Sequence, residues 1–136
     1  MTETFTAEER KAMRELAKER KAHESREEAL ATCMARIESM HPEDRALALA
    51  LHELALKVNP GFEVKTWYGM PGYFDDGKIV MFFQDGHKYK TRYSTVGFQQ
   101  AAKLDDSNLW PTSFALNAWS SEVSRQINNL IVKALG

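Results

Sequence analysis

Histidine and carboxylate side chains are the first candidates for chemistry in this chain, and their spacing is the test. His52-Glu53-Leu54-Ala55-Leu56 begins like the helical zinc motif His-Glu-x-x-His but carries Leu56 where the second imidazole belongs. A helix aims two imidazoles at one ion only when they stand one turn apart, so the motif is absent and His52 and Glu53 read as a solvated helix edge. His23, His41 and His87 show no paired spacing. Asp75-Asp76 and Asp105-Asp106 offer hard oxygen donors for iron, magnesium or calcium. Each pair also adjoins turn-forming residues, where Asp bonds the local backbone, and that role accounts for them. No Gly-x-Ser-x-Gly elbow and no phosphate-cradling glycine loop occurs.

A second constellation is cationic and aromatic. Lys88, Lys90 and Arg92 alternate with Tyr89, Thr91 and Tyr93, so a strand over 88–95 separates bases from aromatic rings. A two-residue hairpin at Asp85-Gly86 sets Phe83 opposite Lys88 and Met81 opposite Lys90, a surface suited to an anionic, partly apolar ligand. A loop one residue longer moves the bases beside Val80 and Phe82, and lysines on an exposed sheet also simply discourage edge pairing. In Lys65-Thr66-Trp67-Tyr68-Gly69-Met70-Pro71-Gly72 the two glycines bracket Met70-Pro71 and bend the strand. Aromatics beside such a bend line a pocket or fill a corner of the core. The candidate ligand-binding set is therefore Lys65, Tyr68, Lys90, Arg92 and Trp110.

The elements that must position these residues follow from pattern. Thr6 with Glu9 forms a capping box for a helix over 6–22, whose apolar stripe of Ala12, Met13, Leu16 and Ala17 is narrow enough to project or to meet a partner. Ser25 with Glu28 forms a second box, opening a helix with Leu30, Met34 and Ile37 on one face. Whether His23 and Glu24 interrupt the two is left open. His41-Pro42 starts a helix to about Val58, with Leu47, Leu51, Leu54 and Val58 on its buried face and Leu49 and Leu56 outside it, offering a second contact surface. Strands are expected at 63–69, 72–75, 78–84 and 88–95, with Asp76-Gly77 and Asp85-Gly86 as hairpin turns. A short helix over 98–104, a strand over 113–119 and a final helix capped by Ser120 or Ser121 complete the order. Helix, antiparallel meander, helix implies an α+β fold with helices on one sheet face.

Composition bounds the function class. The 136-residue chain has a net charge of −1, which argues against a nucleic-acid binder. Cys33 is the sole cysteine, so an intrachain disulfide is excluded and a reducing cytoplasm is expected. The N-terminus lacks the apolar segment of a signal peptide, and no apolar run approaches the ~20 residues of a membrane span.

Trp67-Tyr68-Gly69-Met70-Pro71-Gly72-Tyr73, followed by Asp76-Gly77-Lys78 and Val80-Met81-Phe82-Phe83, resembles the YdhG-like domains of bacteria. The segments Tyr93-Ser94-Thr95-Val96-Gly97-Phe98 and Leu109-Trp110-Pro111-Thr112-Ser113 fit the same family. The resemblance covers roughly residues 42 to 135 and implies a helical N-terminal extension over 1–40 before a domain over 41–136. It implies a frataxin-like arrangement of helices on an antiparallel sheet, and one family member is described as a frataxin-like iron chaperone. It supplies no catalytic residue and no resident cofactor. The chaperone role needs clustered surface carboxylates, which this chain lacks, so the resemblance carries the fold and not iron handling. If iron is handled, His41, Glu43 and Asp44 are the ligands to consider, although the positive end of the helix opposes a cation there. The acids of the first helix are matched by bases, a departure from a clustered carboxylate surface. The expected function is a non-enzymatic cytoplasmic binding or chaperone-like module with a protein or small-molecule partner, without nucleic acid or membrane. A binder of anionic aromatic ligands and a homodimer formed through residues 7–22 are the alternatives.

Overall fold

The computed structural model describes residues 5–136, so residues 1–4 of the expected extension lie outside the described residues. The elements run α1 (Ala7–Glu38), α2 (Pro42–Val58), β1 (Glu63–Trp67), β2 (Met70–Asp75), β3 (Lys78–Gln84), α3 (Gly86–Tyr89), β4 (Ser94–Phe98), β5 (Ser113–Leu116) and α4 (Ser121–Leu135). The strands form one antiparallel sheet in chain order, β1 to β5, a meander. The class is α+β.

Thr6 Oγ1 accepts the Glu9 N–H at 3.1 Å and starts α1, which then continues for 32 residues. The second helix start at Ser25 does not materialise. No proline or glycine falls between 7 and 38, and extending an existing helix avoids the cost of a new nucleus, so the capping preference of Ser25 is overridden. Residues 7–28 are exposed. From Leu30 onward α1 packs on the domain, with Cys33 and Ile37 fully buried. The boundary expected at 40–41 thus falls between two helices that share one core.

Register fixes which side of the sheet is inside. Val64, Tyr73, Met81 and Phe98 are in line across four strands, with Phe83 and Val96 paired beside them. All six belong to the core, joined by Leu47, Leu51 and Ala55 of α2 and Ile127, Ile131 and Ala134 of α4. Leu49 and Leu56 also pack against this core, so the second contact surface expected on α2 is largely used within the domain.

Two turns are tight hairpins. Asp76-Gly77 turns as expected, with φ of 50° and 75°, and Tyr68-Gly69 does the same at 49° and 77°. The bend expected around Met70-Pro71 is therefore the turn itself, and β2 begins at Met70. Asp85-Gly86 does not turn a hairpin. Asp85 is buried and held by Arg36, and the Gly86 N–H donates to Ser94 Oγ at 3.0 Å. Any Cβ on Gly86 would meet the Tyr93 carbonyl oxygen at 2.8 Å, so only glycine fits this close approach. The chain makes one helical turn, α3, and leaves it at Lys90 with φ 55°. The expected strand over 88–95 is replaced by β4 from Ser94, and Met81 and Phe83 pair with Phe98 and Val96 rather than with lysines.

The helix expected over 98–104 is reduced to a turn, in which Ala102 N–H donates to the Gln99 carbonyl at 2.9 Å. Strand β5 stops at Leu116, and Ser120 Oγ caps α4 by accepting the Val123 N–H at 3.1 Å.

Candidate metal centre

The start of α2 and the turn α3 meet at one end of the domain. His41 is the N-cap of α2, and its Nδ1 accepts the Glu43 N–H at 3.2 Å. Pro42 follows as the first helical residue, which leaves Glu43 pointing outward and turns Asp44 into the domain at 4% exposure. Asp44 then organises α3. Its Oδ2 accepts the backbone N–H of His87 at 2.9 Å, and its Oδ1 lies 2.9 Å from His87 Nδ1. Ser94 Oγ donates to the same oxygen at 3.4 Å. Because a carboxylate only accepts, the ring proton of His87 belongs on Nδ1, and Nε2 is left with a free lone pair.

The α3 turn is pinned from the other side by a buried ion pair. Arg36 Nη2 donates to both carboxylate oxygens of Asp85 at 2.8 and 3.1 Å, and Arg36 Nε donates to the Gly69 carbonyl at 3.0 Å. Asp85 is 1% exposed, so one guanidinium ties α1 to the β1–β2 turn and to the residue that precedes α3. Replacing either partner strands a buried charge, the condition under which such pairs matter most.

Across this frame the rings of His41 and His87 stack, with centroids 3.6 Å apart and planes within 1° of parallel. One donor atom each from His41, Glu43 and His87 falls within 4.8 Å of the others, all three residues being exposed. Two imidazoles and a carboxylate suit the borderline divalent ions, iron, cobalt, nickel and zinc, better than calcium or magnesium. The parallel rings set a condition. An imidazole binds a metal in its own plane, and no single point lies in the planes of two parallel, stacked rings. One ring must turn to admit an ion. His87 is locked by the buried Asp44, whereas His41 is held by a single long hydrogen bond to the helix end, so His41 is the ring free to turn.

A groove of about 210 Å³ opens beside the stack, lined by Glu43, Asp44, His87, Arg92, Tyr93 and Asn117 among others. Of the residues expected to bind metal, His41 and Glu43 are exposed, whereas Asp44 faces inward and holds His87. His87 takes the third place. Its pairing with His41 depends on α3, which the hairpin reading of Asp85-Gly86 removed.

The expected ligand-binding set is dispersed. Lys65 Nζ sits 4.4 Å above the Phe74 ring, and Tyr68 stands at a hairpin tip, 82% exposed, edge-on to Trp67. Lys90 ends α3, and Arg92 lies 5.3 Å from the Tyr93 ring while lining the groove by His87. Trp110 packs against the core from the loop before β5. Tyr68 and Trp110 flank opposite edges of the five-stranded sheet, so they do not line one pocket. On the sheet face away from the helices, the Phe82 ring lies directly over Gly97, and its centroid is 5.1 Å from that of Trp67.

A further titratable cluster is internal. His52 Nδ1 lies 2.9 Å from the Tyr73 hydroxyl, and burial lowers the His52 pKa and raises that of the Tyr73 phenol. Burial likewise pushes the Cys33 thiol up to about 11, which keeps it protonated and poorly nucleophilic.

Compared with known proteins, the chain matches no family model, no curated protein and no solved structure.

Proposed function

We propose that this domain is a metal-handling module that binds one borderline divalent ion, of the ferrous iron or zinc class, through His87 Nε2, the His41 imidazole and the Glu43 carboxylate. The observation that carries this reading is the Asp44–His87 pair. A buried carboxylate that accepts the far ring N–H of an exposed histidine is the usual support of a metal-ligating imidazole, fixing its tautomer and its direction. Three protein donors at the surface leave coordination positions for water or for a receiving partner, an arrangement suited to exchange rather than to permanent storage. The domain itself supplies no catalytic step in this account.

The YdhG-like resemblance implies the fold and does not carry iron handling over to this chain, so the reading rests on the cluster itself, with His87 in the place expected for Asp44. A single, buried thiol suits a reducing compartment, and the cytoplasm is the location proposed. Among the described residues no helix is long and apolar enough to cross a membrane.

Native mass spectrometry under anaerobic conditions, with ferrous iron or zinc at one equivalent, tests the function. The full chain is expected to retain one ion, His87→Ala to lose it, and Glu43→Gln to hold it more weakly. Equal retention by the full chain and His87→Ala would refute the assignment.

A further inference from the structure

The exposed part of α1, residues 7–28, extends about 33 Å from the point where the helix joins the core. Helices in proteins draw most of their stability from packing an apolar face, and every residue of 7–28 is exposed. Met13 and Leu16, 51% and 48% exposed, are the large apolar side chains within it. They stand at the same three-four spacing that places Leu30, Met34 and Ile37 against the domain. The seam positions on either side of them are Glu9 and Arg20, and the small residues Ala12 and Ala17 flank the seam.

Charge decides what covers this stripe. We propose that residues 7–22 pair with the same segment of a second copy of this chain, antiparallel, with the two-fold axis passing between Arg14 and Glu15. That register sets Met13 against Leu16 of the other copy and, in the adjoining layers, Glu9 against Arg20. Both apolar layers are then closed at each end by opposite charges. A parallel, in-register pair would instead oppose Glu9 to Glu9 and Arg20 to Arg20 in the seam, which is repulsive. Length is compatible as well. The overlap ends at residue 22 and leaves exposed residues 23–28, roughly 9 Å of helix, as a spacer before α1 packs on the domain from Leu30. This pairing uses nothing of the metal centre, so His87→Ala leaves it unchanged.

Sedimentation of the full chain over a concentration series tests the proposal. The expected result is a monomer–dimer equilibrium abolished by Met13→Glu with Leu16→Glu, with the circular dichroism of the domain retained. Glu9→Arg alone is expected to raise the dimer dissociation constant by about tenfold or more, and adding Arg20→Glu restores it, a rescue that misfolding cannot mimic. Under mild oxidation, Glu9→Cys with Arg20→Cys is expected to cross-link two chains through a 9–20 bond, whereas Glu9→Cys alone is not. A chain that stays monomeric throughout, a dimer indifferent to the Met13 and Leu16 changes, or efficient cross-linking of Glu9→Cys alone would overturn the proposal.

Discussion

Asp44 lies next to both nitrogens with which His87 can donate toward the interior, the backbone N–H and ring Nδ1, each at 2.9 Å. One buried carboxylate on α2 therefore sets the position of α3 and the direction of the exposed Nε2 lone pair. Asp44→Asn keeps the shape but supplies only one accepting oxygen. Metal affinity, measured by competition with a chromophoric chelator, is expected to fall about 10–100-fold with the fold retained. Unchanged affinity would mean that Asp44 only holds the backbone of α3.

Arg36 and Asp85 carry the second prediction. The guanidinium is largely sheltered and the carboxylate almost fully so, at 17% and 2% side-chain exposure. Removing one partner, as in Arg36→Met or Asp85→Ala, is expected to cost about 3–5 kcal/mol in denaturant unfolding. The double replacement is expected to cost less than the two single ones added together, because it leaves neither charge buried alone. Additive losses would show that the two residues act independently.

His52 carries a pH dependence with a definite sign. Its folded-state pKa lies below the usual histidine value because burial disfavours the charged ring, so the unfolded chain binds more protons at mildly acid pH. Its contribution to stability is complete above about pH 6.5 and is lost as pH falls through the depressed folded value. His52→Gln keeps a polar side chain near the Tyr73 hydroxyl without titrating. Thermal unfolding midpoints are expected to decline from pH 7.5 to 5 more shallowly in this variant than in the parent chain. Parallel declines would assign the acid sensitivity to other groups.

The parts of the fold legible in the sequence are those governed by local rules. Thr6 and Ser120 cap their helices, Pro42 opens α2, and Asp76-Gly77 makes a hairpin, each by an interaction spanning only a few residues. Asp85-Gly86 obeys the same local pattern as Asp76-Gly77, yet its carboxylate is claimed by Arg36 across 49 residues of sequence. That tertiary pair, together with Ser94 on the Gly86 N–H, converts a hairpin into a helical turn. The candidate site is lost to sequence reasoning by the same step. His41 and Glu43 were visible beside Pro42, but His87 joins them only because α3 exists and Asp44 turns inward. Helix periodicity places Asp44 one residue from Glu43 without revealing that a partner waits inside.

The most direct test of the central claim is long-range proton–nitrogen correlation of the histidine side chains during titration with zinc. The His41 and His87 ring nitrogens are expected to shift together and saturate at one equivalent, His87 through Nε2, while His23 and His52 stay in place. Loss of the protection that His41 Nδ1 gives the Glu43 amide is also expected, as the ring turns away from the helix end. Zinc that leaves both His41 and His87 unmoved at one equivalent, or that shifts His23 or His52 instead, would contradict the claim.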